Sequence, residues 1–193
     1  MRPFIQAFYC LLLSAAAVSA QSVIVTFDGT TSSFLGTSSY TESGFNFYSS
    51  ANEQLRFPGN YNGTAYLGGT STAGGGGDLN ITNTSGSAFS FLSAVFGNGN
   101  STSTNCTVNG YLGGTLVATV QYTLDANSWA VKTLTADFAN VNRVNIHYVN
   151  PNSGFFGLDN VNLAVVAAPE PSTLALAGLG GAGALLMYRR RRK

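Results

Sequence analysis

Charge is what this chain has least of. Only 9% of its 193 residues are Asp, Glu, Lys or Arg, and the formal net charge is +1. A chain so poor in cations lacks the electrostatic footprint that nucleic-acid binding requires, so no nucleic-acid partner is expected. Histidine occurs once, at His147. There is no Cys/His zinc spacing and no Ser-His-Asp order. Cysteine occurs twice, at Cys10 and Cys106. Cys106 is the sole cysteine after residue 20, which excludes an internal disulfide there, and it is expected to be a small buried hydrophobe. Helical periodicity is also scarce before the last 25 residues.

The front end has its own pattern. Met1-Arg2-Pro3 supplies a positive start, Phe8 to Val18 an apolar run, and Val18-Ser19-Ala20 a small-x-small exit. These are the three parts of a secretory signal peptide, so residues 1–20 are expected to hand the chain to the Sec export machinery. The run is too short to span a bilayer. Cys10 lies inside the apolar run, after Ala7-Phe8-Tyr9, which does not suit lipidation.

Residues 21–168 remain between this segment and the tail, enough for one domain with a real core. Arg56, Lys132 and Arg143 stand against Asp28, Glu42, Glu53, Asp78, Asp125, Asp137 and Asp159. Three cations against seven acids make the domain mildly acidic, although the whole chain is not.

Short runs rich in Val, Phe, Tyr and Thr alternate here with clusters of Gly, Asn and Ser, the pattern of an all-β domain. Strands are expected at Ser22–Phe27, Gly44–Tyr48, Leu79–Thr82, Ala88–Phe96, Thr104–Tyr111, Thr115–Leu124, Trp129–Thr135, Val141–Val149 and Phe155–Val166. Ala88–Phe96 is the most apolar and is expected to be central and buried on both faces. Gly113-Gly114 reads as a tight hairpin turn. In the strand after it, Leu116, Ala118, Val120, Tyr122 and Leu124 are expected to share one face. In Val141–Val149, Val144, Ile146 and Tyr148 point one way and Arg143, Asn145 and His147 the other. Gly68-Gly69 and Gly74 to Gly77 read as flexible loop. Nine or ten strands in this length predict a jelly-roll-like antiparallel β-sandwich.

Candidate chemistry is thin, and the domain is read as non-catalytic. Seven acids include no pair that spacing selects for glycoside hydrolysis. Trp129 and Tyr111 are the candidate ligand-binding residues, because sugar rings pack on aromatic faces. Tyr40, Tyr48, Tyr61 and Tyr66 also lie beside turn signals. Five Asn-x-Ser/Thr triplets, at Asn62, Asn80, Asn83, Asn100 and Asn105, arise readily in so Asn- and Thr-rich a chain. The run Phe156-Gly157-Leu158-Asp159-Asn160-Val161 resembles the closing strand of carbohydrate-binding jelly rolls. That resemblance implies a calcium ligand at Asp159, with Asp28 after the first strand as its partner. Calcium needs several oxygens, so two acids are a beginning only.

The tail is the most specific stretch. Pro169-Glu170-Pro171 breaks regular structure, and Ser172 can cap a following helix. Residues 173–188 carry no charge and are almost all Ala, Leu and Gly; Arg189, Arg190, Arg191, Arg192 and Lys193 close the chain. Seventeen residues from Ser172 to Tyr188 reach about 25 Å as a helix, slightly short of a hydrocarbon core of about 30 Å. Tyr188 and the arginines can snorkel across the difference. The cationic run is expected to stay cytoplasmic and to place the domain outside.

Pro-Glu-Pro-Ser, one apolar helix and a terminal Arg cluster closely resemble the PEP-CTERM sorting signal of Gram-negative bacteria, also known as the ice-binding protein C-terminal domain. The resemblance covers about 25 of 193 residues. It implies a membrane-embedded exosortase that recognises Pro169, Glu170, Pro171 and Ser172 and processes the tail. It also implies a single transmembrane helix at 173–188 acting as a temporary anchor, and a product at the cell surface or in extracellular polymer. The ice-binding label finds no regular Thr-x-Thr array upstream. The resulting expectation is a surface or matrix protein; the alternative is a carbohydrate-binding module with extracellular polysaccharide as partner.

Overall fold

The alternation of apolar and polar residues governs how this chain folds, because strand side chains point to opposite faces with period two. The computed structural model describes residues 20–28, 39–49, 55–56, 67–70, 76–149 and 155–166. The expected signal peptide (apart from Ala20), the tail from 169 onward, and Tyr61 and Tyr66 lie outside the described residues. Two units emerge: Ser22–Val165, and a second made of the two chain ends, of which only Ala20, Gln21 and Val166 are described.

Twelve strands form among the described residues: β1 (Ala20–Val25), β2 (Ser39–Glu42), β3 (Phe45–Ser49), β4 (Leu55–Arg56), β5 (Leu67–Thr70), β6 (Gly76–Asn83), β7 (Phe89–Asn98), β8 (Thr104–Leu112), β9 (Thr115–Leu124), β10 (Ser128–Thr133), β11 (Arg143–Val149) and β12 (Phe155–Val166). One 3-10 turn, Ala136–Ala139, precedes β11. The first sheet has the order β10-β7-β12-β5-β4, with β1 also paired to β12; the second has the order β2-β3-β6-β11-β8-β9. The chain passes repeatedly from one sheet to the other, and the registered pairs are antiparallel.

Aromatic rings from both sheets meet in one core. Tyr148 of β11 stacks on Phe156 of β12 at 4.7 Å between centroids and 11° between planes. Phe45 of β3 meets Phe89 of β7 edge-on at 5.2 Å, and Phe96 of β7 approaches Tyr122 of β9 at 5.8 Å. Such pairs add about 0.5–1.5 kcal/mol each beyond their buried area. Cys106 sits in this core at 0% exposure, as expected, and burial pushes its thiol up to about 12.

Several expectations need correction. The glycine stretch is not all loop: Gly68-Gly69 lies in β5 and Gly76-Gly77 in β6. Low strand propensity is overridden there by hydrogen bonding to flanking strands. β7 is not buried on both faces, since Ser90 and Val95 are half-buried and Leu92 is 38% exposed. In β9 the expected single face is broken. Gly110 pairs with Ala118, but Tyr111 pairs with Leu116, so Val117 is an extra residue in a bulge. The bulge moves Leu116 off the core side and leaves it 51% exposed. Trp129–Thr135 ends as a strand at Thr133.

A buried amide ties the loops at the other end of β9. Asn98 is 0% exposed. Its Nδ2 lies 3.0–3.1 Å from the carbonyls of Thr102, Leu124 and Asp125, and its Oδ1 accepts from the Asn100 backbone and side chain at 3.0 and 2.8 Å.

Candidate functional site on the outer face of the second sheet

Strand register lays polar side chains in rows across the outer face of the second sheet. Phe45 and Phe47 of β3, Leu79 and Ile81 of β6, and Val144, Ile146 and Tyr148 of β11 turn to the core. Their neighbours must therefore face out. The central row runs Tyr48, Asn80, Asn145, Asn109 and Thr119 over β3, β6, β11, β8 and β9. A second row runs Asp78, His147, Thr107 and Gln121. A third runs Asn46, Thr82, Arg143, Tyr111 and Leu116.

Hydrogen bonds connect these rows and hold the side chains in place. Asn145 Nδ2 donates to Asp78 Oδ1 at 3.2 Å and to Asn80 Oδ1 at 3.3 Å. His147 Nδ1 stands 3.0 Å from the same Asp78 oxygen. With side chains 46% and 36% exposed, that pair sits in water and contributes at most about 1 kcal/mol. Thr119 Oγ1 donates to Asn109 Oδ1 at 2.8 Å, and Thr123 Oγ1 to Asn105 Oδ1 at 3.3 Å. Asn80 is only 1% exposed although it faces away from the core. The Arg143 guanidinium lies 4.1 Å from the centre of the Tyr111 ring, a cation–π contact that fixes both. The face thus offers a carboxylate, an imidazole, amides and hydroxyls, with a tyrosine near each side. Fixed donors and acceptors of this kind suit a polyhydroxylated ligand better than an apolar one.

The two aromatic candidates do not come together. Tyr111 belongs to this face, in the row with Arg143. Trp129 is in β10, on the outer side of the first sheet, opposite Gly97. A Cβ on Gly97 would fall 2.6 Å from three carbons of the indole, so the ring lies directly on the glycine backbone. Tyr40 is turned toward the core, 5.9 Å from Phe27, and its hydroxyl donates to Glu42 at 2.8 Å. Burial and then the Glu42 carboxylate push it up to about 12. Tyr48 is half-buried in the central row and, like Tyr111, reaches the polar face.

Asp159 lies in β12, Asp28 follows β1, and β1 pairs with β12. Asp28 is exposed, just beyond β1. Asp159 is 0% exposed, and its carboxylate accepts from the Asn160 backbone at 2.7 Å and the Asn160 amide at 3.2 Å. Among the described residues no three His, Cys, Asp or Glu cluster as a metal site. Calcium held by these two acids would need further oxygens.

His147, Asn145 and Arg143 were legible as a shared outer face from alternation in one strand. Asp78, Asn80, Asn109 and Tyr48 were not assigned to it, because only the register of three other strands, β3, β6 and β8, brings them alongside. A polar residue at every second position of Asp78-Leu79-Asn80-Ile81-Thr82 was the available signal.

The fold belongs to a class seen in solved structures. The chain is similar to a family 29 carbohydrate-binding module from Piromyces equi at 13% identity and TM-score 0.51, covering 80% of this chain and 95% of the module. It is similar at 14% identity and TM-score 0.50 to a DUF4465-family protein from Bacteroides caccae, over 74% and 98%. An arabinose-bound α-L-arabinofuranosidase matches at 12% and TM-score 0.50, over 77% of this chain but only 27% of the enzyme. These likenesses establish an antiparallel β-sandwich. No curated protein matches the chain in sequence. The particular mark of this protein is its tail: residues 167–192 match the PEP-CTERM protein-sorting motif. No helix among the described residues is long and apolar enough to cross a membrane, and residues 173–188 lie outside them.

Proposed function

We propose that the chain is an exported, exosortase-sorted surface protein whose jelly-roll-like sandwich binds extracellular polysaccharide without catalysis. The observation that carries the binding part is the row Tyr48, Asn80, Asn145, Asn109 and Thr119, flanked by Asp78, His147, Tyr111 and Arg143. Amides and carboxylates held by one another pair with sugar hydroxyls, and a tyrosine ring packs on the apolar face of a pyranose. The fold likeness to a carbohydrate-binding module agrees with this reading. The sorting part rests on the motif at 167–192. Exosortase would recognise Pro169-Glu170-Pro171, with 173–188 as a temporary anchor and 189–193 on the cytoplasmic side.

Affinity electrophoresis of the full chain against soluble β-glucans, mannans and the producing cell's own exopolysaccharide tests the binding. Retardation by one of them, lost in Asn145→Ala and Tyr48→Ala, is expected; no retardation by any of them rejects it. Thermal melting with calcium and with chelator tests Asp159 and Asp28: an unchanged melting temperature removes calcium from the picture. Replacing Pro169-Glu170-Pro171 by alanines tests the sorting. Normal surface delivery and tail removal in that variant would count against it.

A further inference from the structure

Strand register gathers several features at one end of the sandwich. β12 runs out with Val165 opposite Phe89. Phe89 exchanges backbone hydrogen bonds with Val141 at 2.7 and 2.9 Å, and Asn142 N donates to the Tyr111 carbonyl at 2.8 Å. Tyr111 stands opposite Leu116, and the β8–β9 hairpin closes at Leu112 and Thr115. Gly113 and Gly114 turn it, with φ of 58° and 86°, a conformation that glycine adopts without strain. The strand that leads into the sorting tail therefore ends where this hairpin has its tip.

The tip is apolar and uncovered. Leu112, Leu116 and Val117 are 38%, 51% and 45% exposed. They are three of the seven exposed large hydrophobics among the described residues, within six positions of one another. The bulge at Val117 is the cause, since it turns Leu116 out beside Tyr111. At the rim stands the Arg143–Tyr111 pair, 4.1 Å apart. Aliphatic tips bordered by a tyrosine and a cation are the composition of a membrane interface. Six residues, 167–172, separate β12 from the apolar stretch, so even fully extended they span about 21 Å at most.

We propose that the β8–β9 hairpin tip dips into the outer lipid surface while the tail is anchored, and leaves it when the tail is cut. This rests on the anchor reading of residues 173–188. The patch is small, and three side chains hold a lipid surface only when a tether keeps them at high local concentration. Cleavage removes the tether and with it the contact. A second copy pairing along the edge strand β9 is the competing occupant.

The test uses the full chain carrying Cys10→Ser in phosphatidylcholine–phosphatidylglycerol vesicles. A polarity-sensitive fluorophore is placed at Leu116→Cys or, at the far end of β9, at Asp125→Cys; Cys106 is fully buried and does not compete. Flotation reports the anchor separately. The Leu116 probe should be quenched at least about twofold more than the Asp125 probe by nitroxide-labelled lipid, and about threefold less by iodide. Chains that float with both probes equally open to iodide overturn the hairpin contact and leave the anchor standing. Shielding from iodide without lipid quenching assigns the tip to a second copy and overturns it too. Chains that do not float remove the anchor and this inference together. Circular dichroism of each labelled chain verifies the fold.

Discussion

The two outer faces of this sandwich obey the same alternation and end up unlike. The second sheet presents amides, hydroxyls, a carboxylate and an imidazole that hydrogen-bond one another at 2.8–3.3 Å. The first sheet presents a row of glycines instead. Gly97, Gly157 and Gly68 stand side by side on β7, β12 and β5, with Trp129 opposite Gly97 at one end and Arg56 opposite Gly68 at the other. All three glycines are buried, and so is Asp159, two positions along from Gly157. One face keeps its side chains half in water; on the other the Trp129 ring lies down onto the Gly97 backbone. Changes on the first sheet should therefore cost stability, and changes on the second should cost binding.

Substitutions between the sheets set the scale. Phe156→Ala removes a ring stacked on Tyr148 and should destabilise by about 3–5 kcal/mol in urea unfolding. Gly97→Ala should follow, at about 1–3 kcal/mol, because the new methyl meets the indole at 2.6 Å. Trp129 is the single tryptophan, so its emission reports the displacement. Unchanged stability and emission would break the contrast between the faces. Asn145→Ala on the second sheet should change stability by less than about 1 kcal/mol. Polysaccharide affinity should nevertheless fall at least about tenfold, or about 1.4 kcal/mol. A large stability loss with intact binding would reverse the assignment.

The last effect is alkaline. Burial raises the Cys106 thiol to about 12 in the folded chain, and Tyr122 is raised too, by burial first and then by Cys106. The unfolded chain loses the thiol proton near its ordinary value of about 8.5. The folded state therefore holds the proton over that interval, and stability falls as pH rises from about 9 toward 12. Cys106→Ala should flatten that fall in a series of melting curves. Native protein at pH 8 should also resist thiol reagents until it is unfolded.

Nine strands were legible because each carries its own period-two pattern or apolar run. β2, β4 and β5 were not. β4 has two residues and β5 reads Leu67-Gly68-Gly69-Thr70, so neither shows a pattern; both exist because neighbouring strands accept their hydrogen bonds. The Gly113-Gly114 turn was legible, but the bulge three residues later was not. A bulge depends on how two strands count against each other, and either strand alone looks regular. Tyr40 and Tyr48 show the same limit. Both flank turns, yet one faces the core and the other the polar face.

The chain by itself determined the all-β class, the acidic, charge-poor domain and the sorting motif at its end. Those follow from local composition and short-range order, which need no partner strand. Only tertiary structure decided which residues of different strands share a face. Tyr48, Asn80, Asn145, Asn109 and Thr119 span 72 positions of sequence and become one row through four strand registers. Register is a property of pairs, set by which apolar sets meet in the core, and no single strand carries it.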